Sequence, residues 1–281
     1  MTDPVVSVDG ELLPASAARV SPFDHGLLVG NGVFETLRVY GGVPFAWTRH
    51  VQRLARSADG LGLEAPDTER LRTTVDAVLH ANRLAEGRVR ITVTGGPSPL
   101  GSERGDAPPT VIVAAGPMAP WPASTTVVTV PWTRNEHGAV AGLKTISYAE
   151  NVRALAFARE HGGGEAIFAN TAGNLCEATG SNVFLALDGT LCTPTESAGI
   201  LAGVTRAFVL ELCVREGIPA EERDVPVNAL ARADEALLTS STREVQAISH
   251  IDGTALPAAP GPVTAAIAAA FADLVTRNID P

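Results

Sequence analysis

Along the whole chain, short runs rich in β-branched and aromatic residues alternate with single stretches of helical periodicity. VVSV, VFETLRVY, TVIVAA, TTVVTV, EAIFAN and NVFLAL are four to eight residues long and are closed by Gly, Pro or Asp-Gly. Runs of that length and composition read as strands. Between them, Val51, Leu54, Ala55 and Ala58 recur at helical spacing from about Thr48 up to a terminating Gly60. Leu71, Val75, Val78 and Leu79 do the same in a stretch from about Asp67 to Leu84. Helix and strand alternating singly in both halves constrain the fold to α/β or α+β with mixed sheets. No GxGxxG opens a helix, no GxxxxGK[ST] occurs and no internal repeat is present. Nothing in the chain therefore points to a dinucleotide fold, a P-loop fold or a repeat array, and one doubly wound parallel sheet is not expected.

The order of elements can be followed further. VVSV, Asp9-Gly10 and the next apolar run form a hairpin with a two-residue turn. SPFDHGLLVGNG reads as a loop, and Val33–Tyr40 as a strand. In that strand Phe34, Thr36, Arg38 and Tyr40 face one way, and Val33, Glu35, Leu37 and Val39 the other. A polar Gly/Pro-rich loop spans Gly95–Pro109, the kind of segment that lies over a site or a subunit boundary. GPMAPWP, with three prolines between Gly116 and Pro122, is the best linker. With 281 residues the chain has length for two domains. The boundaries predicted are a smaller N-terminal α/β domain at 1–115, a linker at 116–122 and a larger C-terminal domain at 123–281. In the second half a helix is expected from about Tyr148 to His161, another after the loop that opens at Gly199, and a closing helix over Pro262–Asn278.

Lys144 is the only lysine among 21 cationic Lys and Arg residues. Arginine replaces lysine wherever only charge is needed, but guanidinium stays protonated and is a poor nucleophile. A retained amine points to one that reacts; a leftover surface lysine is the alternative. The predicted helix behind Lys144 would favour the neutral amine through its dipole. A net charge of −10 and the lack of basic runs argue against nucleic acid or an anionic membrane as partner. No secretion signal is read at the start, and no apolar run is long enough to span a bilayer, so a cytoplasmic protein is expected. Cys176, Cys192 and Cys213 lack CxxC spacing, and the six histidines are scattered, so no metal site is expected.

GILAGVTRAF runs straight into a helix, where exposed backbone N–H groups and Thr205 make an anion seat, most simply for a phosphate. TSSTRE brings Ser240, Ser241 and Thr242 together between two strands, which an ordinary turn would also do. His50 and Arg53 share one helix face, and an arginine there could close a phosphate site. Glu177 stands in apolar company and needs a cationic or protonated partner. A reactive lysine, phosphate donors and one acid together describe a site for pyridoxal 5′-phosphate.

The chain also resembles the fold-type IV pyridoxal-phosphate enzymes, or class IV aminotransferases. These include D-amino-acid aminotransferase, branched-chain aminotransferase and 4-amino-4-deoxychorismate lyase. The matching pieces stand in family order: GNGVFETLRVYGG at 30–42, RHVQRL at 49–54, AGLKTISYAENVRALA at 141–156, EAIFANTAGNLCEATGSNVF at 165–184, GILAGVTR at 199–206 and LLTSSTREV at 237–245. By that resemblance Lys144 is the Schiff-base lysine and moves the proton at the substrate α-carbon. Glu177 faces the pyridine nitrogen and Arg53 binds phosphate. Val204 and Thr205 form the helix-N-terminal phosphate seat, Ser240 and Ser241 a second hydroxyl loop, and Tyr148 stands near the ring hydroxyl. The family builds its site between two domains and at a dimer interface, so a homodimer is implied.

TGSNVF and FETLR resemble the D-amino-acid and lyase branches more than the branched-chain branch. Phe34 stands where D-amino-acid aminotransferases usually carry tyrosine, and Gly95 where they carry arginine, so neither can grip a substrate carboxylate. Arg90, Arg104, Thr242 and Arg243 are the other candidates. The expected activity is transfer of an amino group from D-amino acids, and with a reduced carboxylate grip from (R)-primary amines, to a 2-keto acid. The lyase that releases pyruvate and 4-aminobenzoate is the alternative, and branched-chain L-amino-acid transamination stands behind both.

Overall fold

The computed structural model describes residues 3–281. The chain divides into two compact units, one of Met1–Ala119, Leu143–Tyr148 and Ile279–Pro281, the other of Pro120–Gly142 and Ala149–Asn278. Each is mixed α/β, as the alternation of elements requires.

The first unit carries strands β1 (Val5–Val8), β2 (Glu11–Pro14), β3 (Gly32–Tyr40), β4 (Val43–Pro44), β5 (Gly87–Thr94) and β6 (Val111–Gly116). They form one antiparallel sheet in the order β2-β1-β6-β5-β3-β4. The opening hairpin turns at Asp9 and Gly10, both at positive φ (53° and 91°), the geometry a two-residue turn needs. Helices α1 (His25–Val29), α2 (Trp47–Gly60) and α3 (Thr68–Ala81) complete the unit. One sheet face carries Val33, Leu37, Val39, Val89, Ile91 and Val93, all fully buried against Leu54 and Ala58 of α2 and Leu71, Val75, Val78 and Leu79 of α3. Each such side chain contributes about 1.5–3 kcal/mol by leaving water. The other face carries Phe34, Thr36 and Arg38 beside Arg88, Arg90 and Thr92.

Two local expectations change. SPFDHGLLVGNG is not all loop: Asp24 caps a short α1 by accepting from Gly26 N at 2.7 Å, and Gly30 at φ 69° stops it. Helix α2 ends at Gly60 as expected, but Gly60 is not the left-handed residue that closes it; that is Gly62 at φ 64°. Gly60 answers to packing instead, since a Cβ there would lie 2.7 Å from Leu143 Cδ2.

The second unit holds β7 (Ser124–Arg134), α4 (Ala149–Glu160), β8 (Glu165–Asn170), β9 (Leu175–Ala178), β10 (Asn182–Leu187) and β11 (Thr190–Thr193). Then follow α5 (Val204–Glu216), β12 (Ala220–Glu222), β13 (Glu235–Ser240), β14 (Glu244–Ile251), β15 (Thr254–Ala255) and α6 (Pro262–Arg277). Its sheet is mixed, in the order β12-β11-β10-β13-β14-β7-β8-β9, with β15 added on β14. The β7–β8, β7–β14 and β11–β12 pairs are parallel and the rest antiparallel. Val183, Leu185, Ala236, Leu238 and Ile248 bury one sheet face, while Phe184 and Leu237 bury the other with Val209 and Cys213 of α5 and Ile267 of α6. No helix among the described residues is long and apolar enough to cross a membrane.

Candidate active site

The lysine segment is an extended strip laid on the edge of β3. Phe34 N donates to Lys144 O (3.0 Å), Ile146 N donates to Gly32 O (2.9 Å), and Thr145 bridges Val33. Lys144 N donates to Ser57 Oγ of α2 at 3.1 Å, so the residue is pinned from both sides. Lys144 therefore belongs to the first unit, although the proline-rich segment precedes it in the chain. The predicted dipole device is not what holds it. Helix α4 begins only at Ala149, which leaves Lys144 outside the first turn, where the dipole effect is confined.

What the half-buried Lys144 does meet is an aromatic ring. Its Nζ lies 4.3 Å from the centroid of Phe34, which is buried. Arg90 Cζ lies 3.7 Å from the same centroid, and Tyr148 meets Phe34 edge-on at 5.2 Å. Register explains the grouping: Phe34 faces Thr92 and Thr36 faces Arg90, so Phe34 and Arg90 are diagonal neighbours on one face.

On the opposite face, Glu35 is fully buried among valines and leucine. Arg53 grips it with Nε to Oε1 at 2.7 Å and Nη2 to Oε2 at 2.8 Å, and His50 Nδ1 lies 2.7 Å from Oε2. Burial pushes the Glu35 carboxyl up, but the Arg53 guanidinium and then His50 outweigh it and hold Glu35 far below the carboxylate range. Burial pulls His50 below the ordinary imidazole value; Glu35 opposes this, and the charges of Arg53 and Lys144 add to it. His50 is thus neutral near pH 7 and donates through Nδ1–H to the ionised Glu35. Alternation puts Glu35 on the inner face of its strand, but only His50 and Arg53 stand out from sequence as site candidates. The signal was there, a lone carboxylate in the apolar stripe Val33–Glu35–Leu37–Val39.

In the second unit the half-buried Glu177 accepts from Leu201 N at 3.0 Å and from Asn182 Nδ2 at 3.2 Å, both on Oε2. Leu201 lies in the loop that leads into α5, whose N-cap is Gly203 with no side-chain cap. Val204 and Thr205 are buried in the first turn, whose leading backbone N–H groups receive no side-chain cap. Ser240 Oγ accepts from Arg243 N at 3.1 Å in the turn between β13 and β14, which also holds Ser241 and Thr242. Ser181 Oγ and Thr239 Oγ1 are buried without a partner among the described residues. These two were not singled out from sequence.

Two sequence candidates are engaged elsewhere. Arg243 is buried, with Nη2 on Glu165 Oε2 at 3.0 Å, a second contact to Gln246 and its guanidinium 3.9 Å from the Trp121 ring centroid. Exposed Arg104 donates to the carbonyls of Leu61 and Gly62. Both guanidinium groups answer to protein acceptors. Gly95 has Asn31 and His25 each 3.3 Å from where a Cβ would be, so the position is closely packed.

The sequence profile of the amino-transferase class IV family matches residues 32–251, more than half the chain. The chain belongs to the class IV aminotransferases. Among relatives of this class IV enzyme, a Methanocaldococcus jannaschii protein, named provisionally a branched-chain-amino-acid aminotransferase, is 33% identical over 97% of this chain and 96% of its own. D-alanine aminotransferase of Bacillus licheniformis is 30% identical over 92% and 93%. Aminodeoxychorismate lyase of Bacillus subtilis is 32% identical over 94% and 92%. The crystal structure of the branched-chain aminotransferase of Thermoproteus uzoniensis with norvaline superposes with a TM-score of 0.90 at 29% identity, over 97% and 94%.

Class IV aminotransferases are pyridoxal-phosphate enzymes, and this chain is one of them. Its residues fit the group. They include one lysine amine, an acid held on one oxygen by two N–H donors, a helix start without a side-chain cap and two buried hydroxyls without partners.

Proposed function

We propose that the protein transfers the amino group of D-amino acids to a 2-keto acid. Lys144 holds pyridoxal 5′-phosphate through Nζ and carries the proton at the substrate α-carbon. Glu177 serves the ring nitrogen; the first turn of α5 at Val204 and Thr205, with Arg53, Ser240 and Ser241, serves the phosphate; Tyr148 serves the ring hydroxyl. When bound, the cofactor supplies the electron sink for α-carbon chemistry.

The observation that carries an amino-acid substrate is Arg90, whose guanidinium lies over the Phe34 ring that also meets Lys144 Nζ. A guanidinium beside the reacting amine takes a carboxylate in a two-pronged contact. Phe34 cannot hydrogen-bond the carboxylate, so it acts as the surface that aims both cations. Preference for the D form is supported by TGSNVF and by the D-alanine relatives. Arg104, Thr242 and Arg243 have no place in this reading. A homodimer is the expected assembly.

Borohydride reduction should fix the cofactor to the only lysine, located by peptide mass, and Lys144→Ala should lose the visible band and all turnover. D-Alanine should bleach the band of the wild type and L-alanine should not; bleaching by L-alanine or L-leucine alone would sink the D-specific reading in favour of the branched-chain one. The lyase relative gives a second reading, supported by FETLR and AGLKT. Release of pyruvate and 4-aminobenzoate from aminodeoxychorismate without any keto acid would establish it.

A further inference from the structure

One side chain touches both ends of the candidate cofactor seat in the second unit. Asn182 opens β10 and is buried. Its Nδ2 donates to Glu177 Oε2 at 3.2 Å and to Leu201 O at 2.9 Å, so both amide protons are spent on one carboxylate and one loop carbonyl. Leu201 N donates in turn to the same Glu177 oxygen at 3.0 Å. Carboxylate, amide and loop peptide thus close a three-membered ring of hydrogen bonds. On its other side Asn182 presses on the start of α5: a Cβ built at Gly203 would stand 1.9 Å from Asn182 Oδ1. Across the sheet Asn182 faces Thr239, the residue before Ser240.

We infer that Asn182 is a positioning residue that sets the distance and orientation of Glu177 relative to the phosphate-binding start of α5. The assignment rests on the role proposed above for Glu177. Fixing two donors on Oε2 orients the carboxylate plane, and neutral N–H donors do so without cancelling its charge. The same amide excludes any side chain at 203, so the backbone of the helix start stays where an anion can approach it. Glycine at 203 is explained by this contact and not by its φ, which is an ordinary −71°.

The test is a double-mutant cycle read on cofactor binding. Apoprotein of wild type, Asn182→Ala, Gly203→Ala, the double variant and Glu177→Gln is titrated with pyridoxal 5′-phosphate, and the pH midpoint of the visible band is recorded for each. Loss of a hydrogen bond to a charged group predicts roughly ten- to a hundredfold weaker binding for Asn182→Ala. Its band midpoint should move in the same direction as that of Glu177→Gln, a shift that a packing role alone would not produce. Gly203→Ala must displace the Asn182 amide and should reproduce the defect. In the Asn182→Ala background the 1.9 Å clash is gone and the methyl meets only Arg206 Cβ at 3.1 Å, which a shift of a few tenths of an ångström relieves, so the double variant should bind about as well as Asn182→Ala alone. Asn182→Ser replaces Asn182→Ala if the latter does not fold, because serine is too short to reach Glu177 and Leu201 together. Additive defects, or an Asn182→Ala band midpoint equal to wild type while Glu177→Gln shifts it, would overturn the inference alone. A Glu177→Gln protein with wild-type binding and band would overturn the Glu177 assignment and this inference with it.

Discussion

Glu35 and Glu177 are carboxylates in apolar surroundings, held in opposite ways. Glu35 is gripped by a guanidinium through two hydrogen bonds and by an imidazole through a third. Its charge is consumed where it lies. Two of the hydrogen bonds on Glu177 come from a backbone amide and a side-chain amide, both uncharged, and both go to one oxygen. Such donors stabilise an anion without neutralising it, so its field still acts on whatever approaches. The first arrangement anchors a helix to a sheet. The second suits the role proposed for Glu177 at the ring nitrogen.

Glu35→Gln should separate the two most sharply. It leaves the Arg53 cation buried without its counter-ion, a loss of about 3–5 kcal/mol, measured by denaturant unfolding of the apoprotein. Glu177→Gln should leave that unfolding curve nearly in place and lower kcat by about 10²–10³, the usual result of removing one preorganised electrostatic group. If both variants lose stability alike, the contrast is void.

Acid unfolding sharpens it further. His50 is depressed below 6.5 in the folded state, so the stability it contributes is full above that value and is lost as pH falls through it. Glu35 is depressed below 4.5, so its contribution is present above 4.5 and drains as pH falls toward the lower folded value. Melting temperature should therefore decline in two steps, and His50→Gln should flatten the upper step while leaving the lower one. The smallest effect, about 1 kcal/mol, is expected for Ser57→Ala, which removes the acceptor for Lys144 N. Unfolding free energy should register it, together with a modest loss of turnover as the lysine segment loosens.

The strand Val33–Tyr40 could be read from its alternation, and with it the separation of Phe34 from Glu35 onto opposite faces. The core of α2 and α3 was legible for the same reason, since apolar spacing is a local property. The surroundings of Lys144 were not. Its pairing with Phe34 and its bond to Ser57 join residues far apart in sequence, and no local periodicity encodes such a register. The nearest local signal, a helix just downstream, suggested a dipole that the observed helix start does not deliver. Gly60 misled in a similar way, because a glycine kept for close packing looks like one kept for a turn. Asn182 lies within the motif TGSNVF, yet its partners come from strand β9 at 177 and from the loop before α5 at 201, and no local periodicity joins the three.

The last residues of the chain also bear on the helix that carries His50 and Arg53. Helix α2 has Ala46 at its N-cap and no side-chain cap of its own. Asp280 takes that place: its carboxylate accepts from Thr48 N at 2.9 Å and from Thr48 Oγ1 at 2.6 Å, while Ala46 N donates to Ile279 O at 2.8 Å. The first unit thus closes only when residues 232 positions downstream of Thr48 are in place, and the helix that carries His50 and Arg53 starts uncapped until then.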